Sequence, residues 1–228
     1  LAMQSLDGVN QQIGARVGEV ASNASGAAAT MQDASRRVDE VRLATEDLQG
    51  VLAGFRTGGT PFDALVDATT VLRDEVLACL RRHAEGGANV FDQSYQPIAQ
   101  SDPPRFTTSY DRIVERDLQV LFDRVLTDLP GAAYALAVDN RGFAPTHNTK
   151  FSRPPNGQRA HDLVYCRNKR IFDDPVGIRL AKNREPFLLQ TYLRDTGEVI
   201  NDLSMPVILD GKHWGAVRIG YDSARMMG

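Results

Sequence analysis

The chain has 228 residues, of which 42% are hydrophobic and 24% charged, which is ordinary for a globular protein. Its net charge of −3 and the lack of any Lys or Arg block argue against nucleic acid or a membrane surface as a partner. Cys79 and Cys166 are too few for a disulfide framework and favour a reducing, cytoplasmic location. No run approaches the roughly 20 apolar residues of a membrane helix. Because the helical pattern is already under way at Leu1, we expect the chain to be a fragment of a longer protein. An alternative is that it forms the cytosolic part of a membrane-anchored receptor.

A long helix is predicted over residues 1–57. Apolar or small side chains recur there in steps of three and four, with one stutter at Ile13–Val17, as in a coiled coil. These side chains, called the seam below, are Leu6, Val9, Ile13, Val17, Val20, Ala24, Ala27, Met31, Ala34, Val38, Val41, Thr45, Leu48, Leu52 and Phe55. Several glycines, each costing about 1 kcal/mol relative to Ala in a helix, suggest that the helix needs a partner. We therefore expect a homodimer through 1–57; the alternative is one helix folded back on its own domain.

A second domain is predicted over residues 61–222, after a Gly-rich boundary. Thr60 is a candidate N-cap, with Pro61 at the first position of a helix over Pro61–Ala84. Asn89–Phe106 contains three prolines and is predicted to be an ordered loop. Apolar residues at helical spacing then predict a second helix over Thr108–Leu129.

Five strands are predicted in the remainder of this domain, with turn glycines at 197 and 211 between the last three. The strands are Ala133–Asp139, Gly142–Asn148, Phe187–Arg194, Val199–Leu209 and His213–Tyr221. Helices are predicted over Val164–Asp174 and Pro175–Asn183, between the second and third strands. The predicted fold class is α+β: a coiled-coil helix followed by an antiparallel five-stranded sheet with flanking helices.

Five short motifs in this order carry a family resemblance. They are FDQSYQPI (91–98), PTHN (145–148), CRNKRIFDD (166–174), PFLLQTY (186–192) and HWG (213–215). Together they resemble the C-terminal PAS/Cache-like sensory domain of bacterial methyl-accepting chemotaxis proteins. The resemblance implies a cytosolic input module in a receptor dimer, which signals to a chemotaxis histidine kinase and its adaptor. The kinase-contacting hairpin tip, HAMP unit and transmembrane helix of such receptors are missing here, so those contacts would belong to other parts of the receptor.

The CRNKR motif offers candidate ligand-binding cations. On a helix, Arg170 would pair with Asp174, and Lys169 with Asp173, as i,i+4 neighbours. The functional alternative is that Arg167 or Arg170 faces the sheet and binds a carboxylate or phosphate with its planar fork.

Further candidates for this ligand site lie on the strands. Gln190, Tyr192 and Arg194 share one face of their strand, and Trp214 and Arg218 share one side of the last strand. With His147, these residues could line a pocket for a small anionic ligand, for which we expect a carboxylate. A solvated outer face would explain the same polar pattern.

Metal, haem and catalytic sites are each considered from the His and Cys residues. His147, His161, His213 and Cys166 show no metal-ligand spacing and no CxxCH, so no metal site is expected, and no cofactor is favoured. A single axial His would suffice for haem, which keeps a haem-based gas or redox sensor open. No catalytic constellation is evident, so an enzyme is not expected. A structural dimerisation module with a filled pocket is the other alternative.

Overall fold

The computed structural model describes residues 2–53, 59–194, 197–222 and 225–226. The chain divides into two compact units, Leu1–Leu48 and Gln49–Gly228. Among the described residues, no helix is both long and apolar enough to cross a membrane.

The first element is the helix α1, Ala2–Ala53. Its side chains are described between residues 13 and 44, except at 15, 42 and 43. Six apolar seam residues within this stretch are between 55% and 74% exposed. They are Ile13, Val17, Val20, Met31, Val38 and Val41. The predicted helix is present up to residue 53, whereas residues 54–57, including the last seam position, lie outside the described residues. Pairing of the seam with another chain stays a prediction.

Two helices open the second unit, α2 (Pro61–Glu85) and α3 (Asp111–Asp128). Thr60 is the N-cap of α2, as predicted: its hydroxyl accepts from the Asp63 amide, and the Asp63 carboxylate accepts from the Thr60 amide, both at 3.1 Å. The loop predicted between the helices contains a two-stranded antiparallel sheet, β1 (Gln96–Pro97) and β2 (Phe106–Thr107).

The main sheet has four antiparallel strands in the order β3–β6–β5–β4. They are β3 (Ala132–Asp139), β4 (Leu188–Leu193), β5 (Val199–Leu209) and β6 (Lys212–Tyr221). The α+β class and the meander of the last three strands match the prediction, with shifts of one residue at some ends.

The predicted fifth strand, Gly142–Asn148, is wrong. Residues 142–144 make ladder-like contacts with the segment around Arg170 and not with a strand of the main sheet: the Ala144 amide donates to the Arg170 carbonyl at 2.9 Å. Pro145 has no amide hydrogen for a ladder. Further along, the Asn148 side-chain oxygen, rather than a backbone carbonyl, accepts from the Ala135 amide at 2.9 Å. The segment therefore runs beside the sheet without joining it.

The helix predicted over Val164–Asp174 is also wrong. The helix α4 spans Arg159–Tyr165 instead, so only Val164 and Tyr165 of the predicted helix are helical, and α5 spans Pro175–Ala181. Between them Lys169 has φ of 61°, a left-handed conformation that an α-helix excludes. Asp174 is the N-cap of α5 and accepts from the amides of Val176 and Gly177. Residues 166–174 therefore connect the two helices as non-helical chain, with a turn at Asn168 and Lys169.

The main sheet is covered on both faces. On one face α2 and α3 enclose the apolar core, where Thr70 of α2 lies 3.6 Å from the Met205 sulfur. On the other face Asn183, just after α5, donates to the carbonyl of Ser204 at 3.2 Å. The segment 143–174 and α5 therefore cover the face opposite the two long helices.

Trp214 lies in a β-bulge, which changes the side that it faces. Gly215 pairs with Val207 and His213 with Ile208, which leaves Trp214 as the extra residue. Its indole is buried on the core side and donates to the Val90 carbonyl at 2.8 Å. The prediction that Trp214 and Arg218 share one side is wrong, because the bulge interrupts the alternation between them.

Replacing Trp214 with Ala should lower the free energy of unfolding by about 3–5 kcal/mol, because it removes a fully buried aromatic side chain. Urea denaturation measures this, with the more exposed Phe91→Ala as the control, for which we expect less than about 1 kcal/mol. Native-state fluorescence at the wavelength of free tryptophan in water would contradict the burial.

Candidate functional site

A cavity of about 360 Å³ lies between the main sheet and the segment 167–177. The residues that line it come from the sheet, from His147 and from this segment: Tyr134, Leu136, Tyr192, Leu193, Arg194, Arg218, His147, Arg167, Arg170, Ile171, Phe172, Asp173, Asp174 and Gly177. Six of the eight predicted ligand-binding residues are thus brought together: His147, Arg167, Arg170, Tyr192, Arg194 and Arg218. Whether they bind a ligand stays a prediction.

A buried ion pair forms the base of the cavity. Arg218 donates from Nε to Asp202 Oδ2 at 3.0 Å, and its Nη2 contacts the same oxygen. Asp202 is fully buried and Arg218 nearly so. Nη1 of Arg218 donates no hydrogen bond to any described residue, so this edge of the guanidinium is available at the cavity.

Two tyrosines complete the network around this pair. Tyr134 donates to Asp202 Oδ2 at 2.6 Å, Tyr192 lies 2.7 Å from the Tyr134 hydroxyl, and Arg218 Nη2 donates to Tyr192 at 3.2 Å. Burial raises the pKa of Tyr134 well above its ordinary value, and the charge of Asp202 raises it further. The Tyr134 hydroxyl therefore keeps its proton and remains a donor to the carboxylate.

The position of Tyr134 depends on a glycine in the adjacent strand. Tyr134 pairs with Gly220, and a Cβ at residue 220 would lie 2.2 Å from the Tyr134 ring. Only glycine leaves the ring room to lie across β6, which brings its hydroxyl over Asp202.

Arg194 closes one side of the cavity. Its guanidinium lies over the Tyr134 ring, 5.2 Å from the centroid, and Nη1 lies 3.1 Å from Glu198 Oε2. The Arg194 side chain is only 7% exposed, whereas that of Glu198 is 67% exposed. Nε of Arg194 is buried and has no hydrogen-bond partner among the described residues.

Arg167 and Arg170 come from the opposite wall. Both guanidinium groups lie 5.4 Å from the centroid of the Phe172 ring, and Arg167 Nη1 donates to the Leu163 carbonyl at 3.1 Å. Arg167 is 6% exposed. Removing its side chain would therefore also remove packing.

His147 is a neutral, fixed side chain of the cavity wall. Its Nδ1 accepts from the Asn148 amide at 2.8 Å, so Nε2 carries the hydrogen of the neutral ring. Burial lowers the pKa of His147 well below its ordinary value, and the charges of Arg167, Arg194 and Arg218 lower it further. His147 can therefore donate one hydrogen bond without adding charge to the cavity.

The two remaining predicted residues lie elsewhere. Trp214 belongs to the core on the other face, because of the bulge described above. Gln190 is buried against α5, where its amide can donate to the Val176 carbonyl at 3.2 Å and accept from Arg179 at 3.3 Å. Their assignment to the cavity is wrong.

Lys169 belongs to a structural ion pair rather than to the cavity. Its ammonium lies 2.5 Å from Asp111 and 3.2 Å from Glu115, both on α3. The predicted i,i+4 pairs with Asp173 and Asp174 required a helix that does not form. Lys169 therefore fastens the segment to α3, while its neighbours Arg167 and Arg170 line the cavity.

Two groups of potential metal ligands lie outside the cavity. Cys79, His83 and Asp117 form one, and His161, Asp162 and Cys166 form the other. His161 and Cys166 are among the metal-ligand candidates named from the sequence, whereas Cys79 and His83 are not. The signal for the latter pair was their i,i+4 spacing on a predicted helix, α2. Asp202 and Tyr134 were also missed; an Asp in the middle of an apolar strand was the available signal.

Comparisons with known proteins do not assign a family. No protein-family model and no curated protein matches the chain. Among solved structures it is similar to an extracellular ligand binding receptor from Desulfohalobium retbaense DSM5692, with a TM-score of 0.36 and 14% identity. The likeness covers 75% of this chain and only 26% of the receptor. At this level it carries no argument, and the PAS/Cache and chemotaxis assignments stay predictions.

Lys169→Met should lower the free energy of unfolding by about 3–5 kcal/mol, because Asp111 would be left as an uncompensated buried charge. Chemical denaturation of Lys169→Met and of the exposed control Lys182→Met measures the difference. The control should change stability by no more than about 0.5 kcal/mol. Equal, small effects of both substitutions would show that the ion pair does not hold the segment.

Proposed function

We propose that the second unit binds a small anionic ligand, with a carboxylate as the group recognised. The observation that carries the proposal is the buried Nε of Arg194, which has no hydrogen-bond partner among the described residues. A buried donor without an acceptor costs about 1–3 kcal/mol, and more when it is charged. An anion in the cavity would remove this cost.

The charges of the cavity wall support the same proposal. Four guanidinium groups line the cavity, against the carboxylates of Asp173 and Asp174 in its wall and of Asp202, which pairs with Arg218 at its base. The Asp174 carboxylate already caps α5 through two backbone amides. Like charges in one cavity repel each other, and an anion that enters relieves the repulsion. Planar guanidinium groups match a carboxylate through two parallel hydrogen bonds.

Two further donors of the cavity define the ligand. Nη1 of Arg218 and Nε2 of His147 offer hydrogens from groups whose other polar atoms have fixed partners. A volume of about 360 Å³ is at the small end of ligand sites, so the ligand is a small molecule rather than a peptide segment. The proposed role is binding rather than catalysis, because these side chains are arranged to hold charge.

We also propose that binding serves a sensory function, in which a homodimer of α1 transmits the signal. Support comes from the exposed apolar seam of α1 and from the five motifs that resemble chemotaxis receptor sensory domains. On that proposal the chain works in the cytoplasm, and a chemotaxis histidine kinase and its adaptor are contacted by other parts of the receptor.

Binding is tested by calorimetry with a panel of small mono- and dicarboxylates and inorganic phosphate. Once a panel member binds, Arg170→Gln and Arg194→Gln should each weaken its affinity at least about tenfold, since a hydrogen bond to a charged group contributes roughly 1.5–3 kcal/mol. Arg167→Ala should abolish binding, but it also removes buried packing, so its thermal stability is measured in parallel.

The exposed Arg112→Gln is the control and should bind as the unmodified chain does. Undiminished affinity in the variants at 167, 170 and 194 would remove these guanidinium groups from the site. If no member of the panel binds, a structural module with a filled pocket replaces the ligand-binding proposal. An absorption band of the purified protein near 400 nm would instead favour haem.

Dimerisation is tested by light scattering of the full chain with Val20→Glu and Val38→Glu together. This variant should be monomeric or only weakly dimeric, because it places charges in the apolar seam. Asn23→Glu with Ser35→Glu, which adds the same charge outside the seam, should remain dimeric. An equally tight dimer in both variants would place the dimer contacts outside the seam.

A further inference from the structure

A second site lies on the outer surface of α2 and α3, away from the cavity. Cys79 and His83 are one turn apart on α2, and Asp117 faces them from α3. One ligand atom from each residue lies within 4.8 Å of the other two, and His83 Nε2 is 2.9 Å from Asp117 Oδ2. The sulfur, the imidazole nitrogen and the carboxylate oxygen thus converge on one point.

Helix geometry explains the convergence. Residues at i and i+4 lie on the same face of a helix, so the side chains of Cys79 and His83 point in one direction. The packing of α2 on α3 brings Asp117 opposite them, and an ion pair between Glu75 and Arg124 crosses the same interface. Both helices are rigid elements, which is the support that a metal site needs.

We propose that Cys79, His83 and Asp117 bind a zinc ion. Thiolate, imidazole and carboxylate are the ligands that Zn²⁺ takes in proteins, commonly three of them with water at the fourth position. A surface hollow of about 330 Å³, lined in part by Cys79 and Asp117, provides room for that water. Zinc bound here would fasten α2 to α3.

Arg82 is the competitor of the metal ion. Its Nη2 lies 2.6 Å from Asp117 Oδ2 and 4.0 Å from the Cys79 sulfur. Its side chain is 63% exposed and can turn into solvent when Asp117 changes partner. The positive charge nevertheless repels a divalent cation, so removing it should strengthen metal binding. A plain surface ion pair between Arg82 and Asp117 would show no such effect.

The experiment titrates Co²⁺ and then Zn²⁺ into the reduced full chain, with a phosphine reductant in place of thiols. We expect one equivalent of Co²⁺ to produce a thiolate-to-cobalt absorption band, which Zn²⁺ then removes by displacement. Zn²⁺ should also raise the unfolding temperature, because it binds the folded state. Absence of the band in the unmodified chain would overturn the proposal.

Variants locate the metal ion. Cys79→Ser should lose the band. His83→Gln and Asp117→Asn should each weaken the metal affinity at least about tenfold. Removing even a residue that hydrogen-bonds a metal ligand has an effect of this size, and removing the ligand itself should cost no less. Arg82→Gln should bind more tightly than the unmodified chain. His83 and Asp117 are partly exposed, so their variants test the site even if Cys79→Ser does not fold.

Cys166→Ser is the matched control, because Cys166 belongs to the other group of potential ligands. In that group Asp162 already accepts backbone hydrogen bonds from Asn156 and Gly157, each at 3.0 Å. Both of its carboxylate oxygens are therefore already engaged. Cys166→Ser should keep the band. A band lost in Cys166→Ser but kept in Cys79→Ser, or an affinity unchanged in Arg82→Gln, would overturn the proposal.

Discussion

The buried ion pair of Arg218 and Asp202 is the constraint on which the cavity face of the sheet depends. Each partner would be costly to bury alone, so the neighbouring strands β5 and β6 must present them on one face. They do so diagonally, because Arg218 pairs with Ser204, two residues from Asp202. Asp202 Oδ1 has no partner among the described residues, so the pair does not recover its full desolvation cost. Its clearer effect is positional: Tyr134, Tyr192 and Arg218 are all held by one carboxylate oxygen.

This arrangement decides which cations can respond to a ligand. The charge of Arg218 is already balanced by Asp202. An anion in the cavity would therefore gain from Arg218 mainly a hydrogen bond from Nη1. Arg194 pairs with Glu198, a side chain in solvent where Coulomb attraction is weak. On the proposed function, Arg194 should therefore contribute more of the electrostatic gain of binding than Arg218.

Much of the sheet could be predicted because apolar and polar residues alternate with turn glycines between them. The meander of β4, β5 and β6 follows that rule, and Tyr192, Arg194 and Arg218 reach the cavity through it. The failures have local causes that alternation does not encode. A bulge turns Trp214 to the other face, a left-handed Lys169 prevents a helix, and Pro145 prevents a fifth strand. Gln190 faces the cavity side as predicted, but α5 covers it.

Because the predicted helix does not form, side chains of the CRNKR motif reach two different parts of the fold. A helix over 164–174 would have placed Arg170 and Lys169 beside the two aspartates, where local ion pairs would use up their charge. In the non-helical segment, which turns at Asn168 and Lys169, Lys169 reaches α3 while Arg167 and Arg170 reach the cavity. The ion pair with Asp111 holds the backbone from which these arginines extend. Lys169, which attaches the cavity wall to α3, and Arg167 and Arg170, which give the wall its positive charge, can thus lie within four residues. This is possible because the backbone between them is not helical.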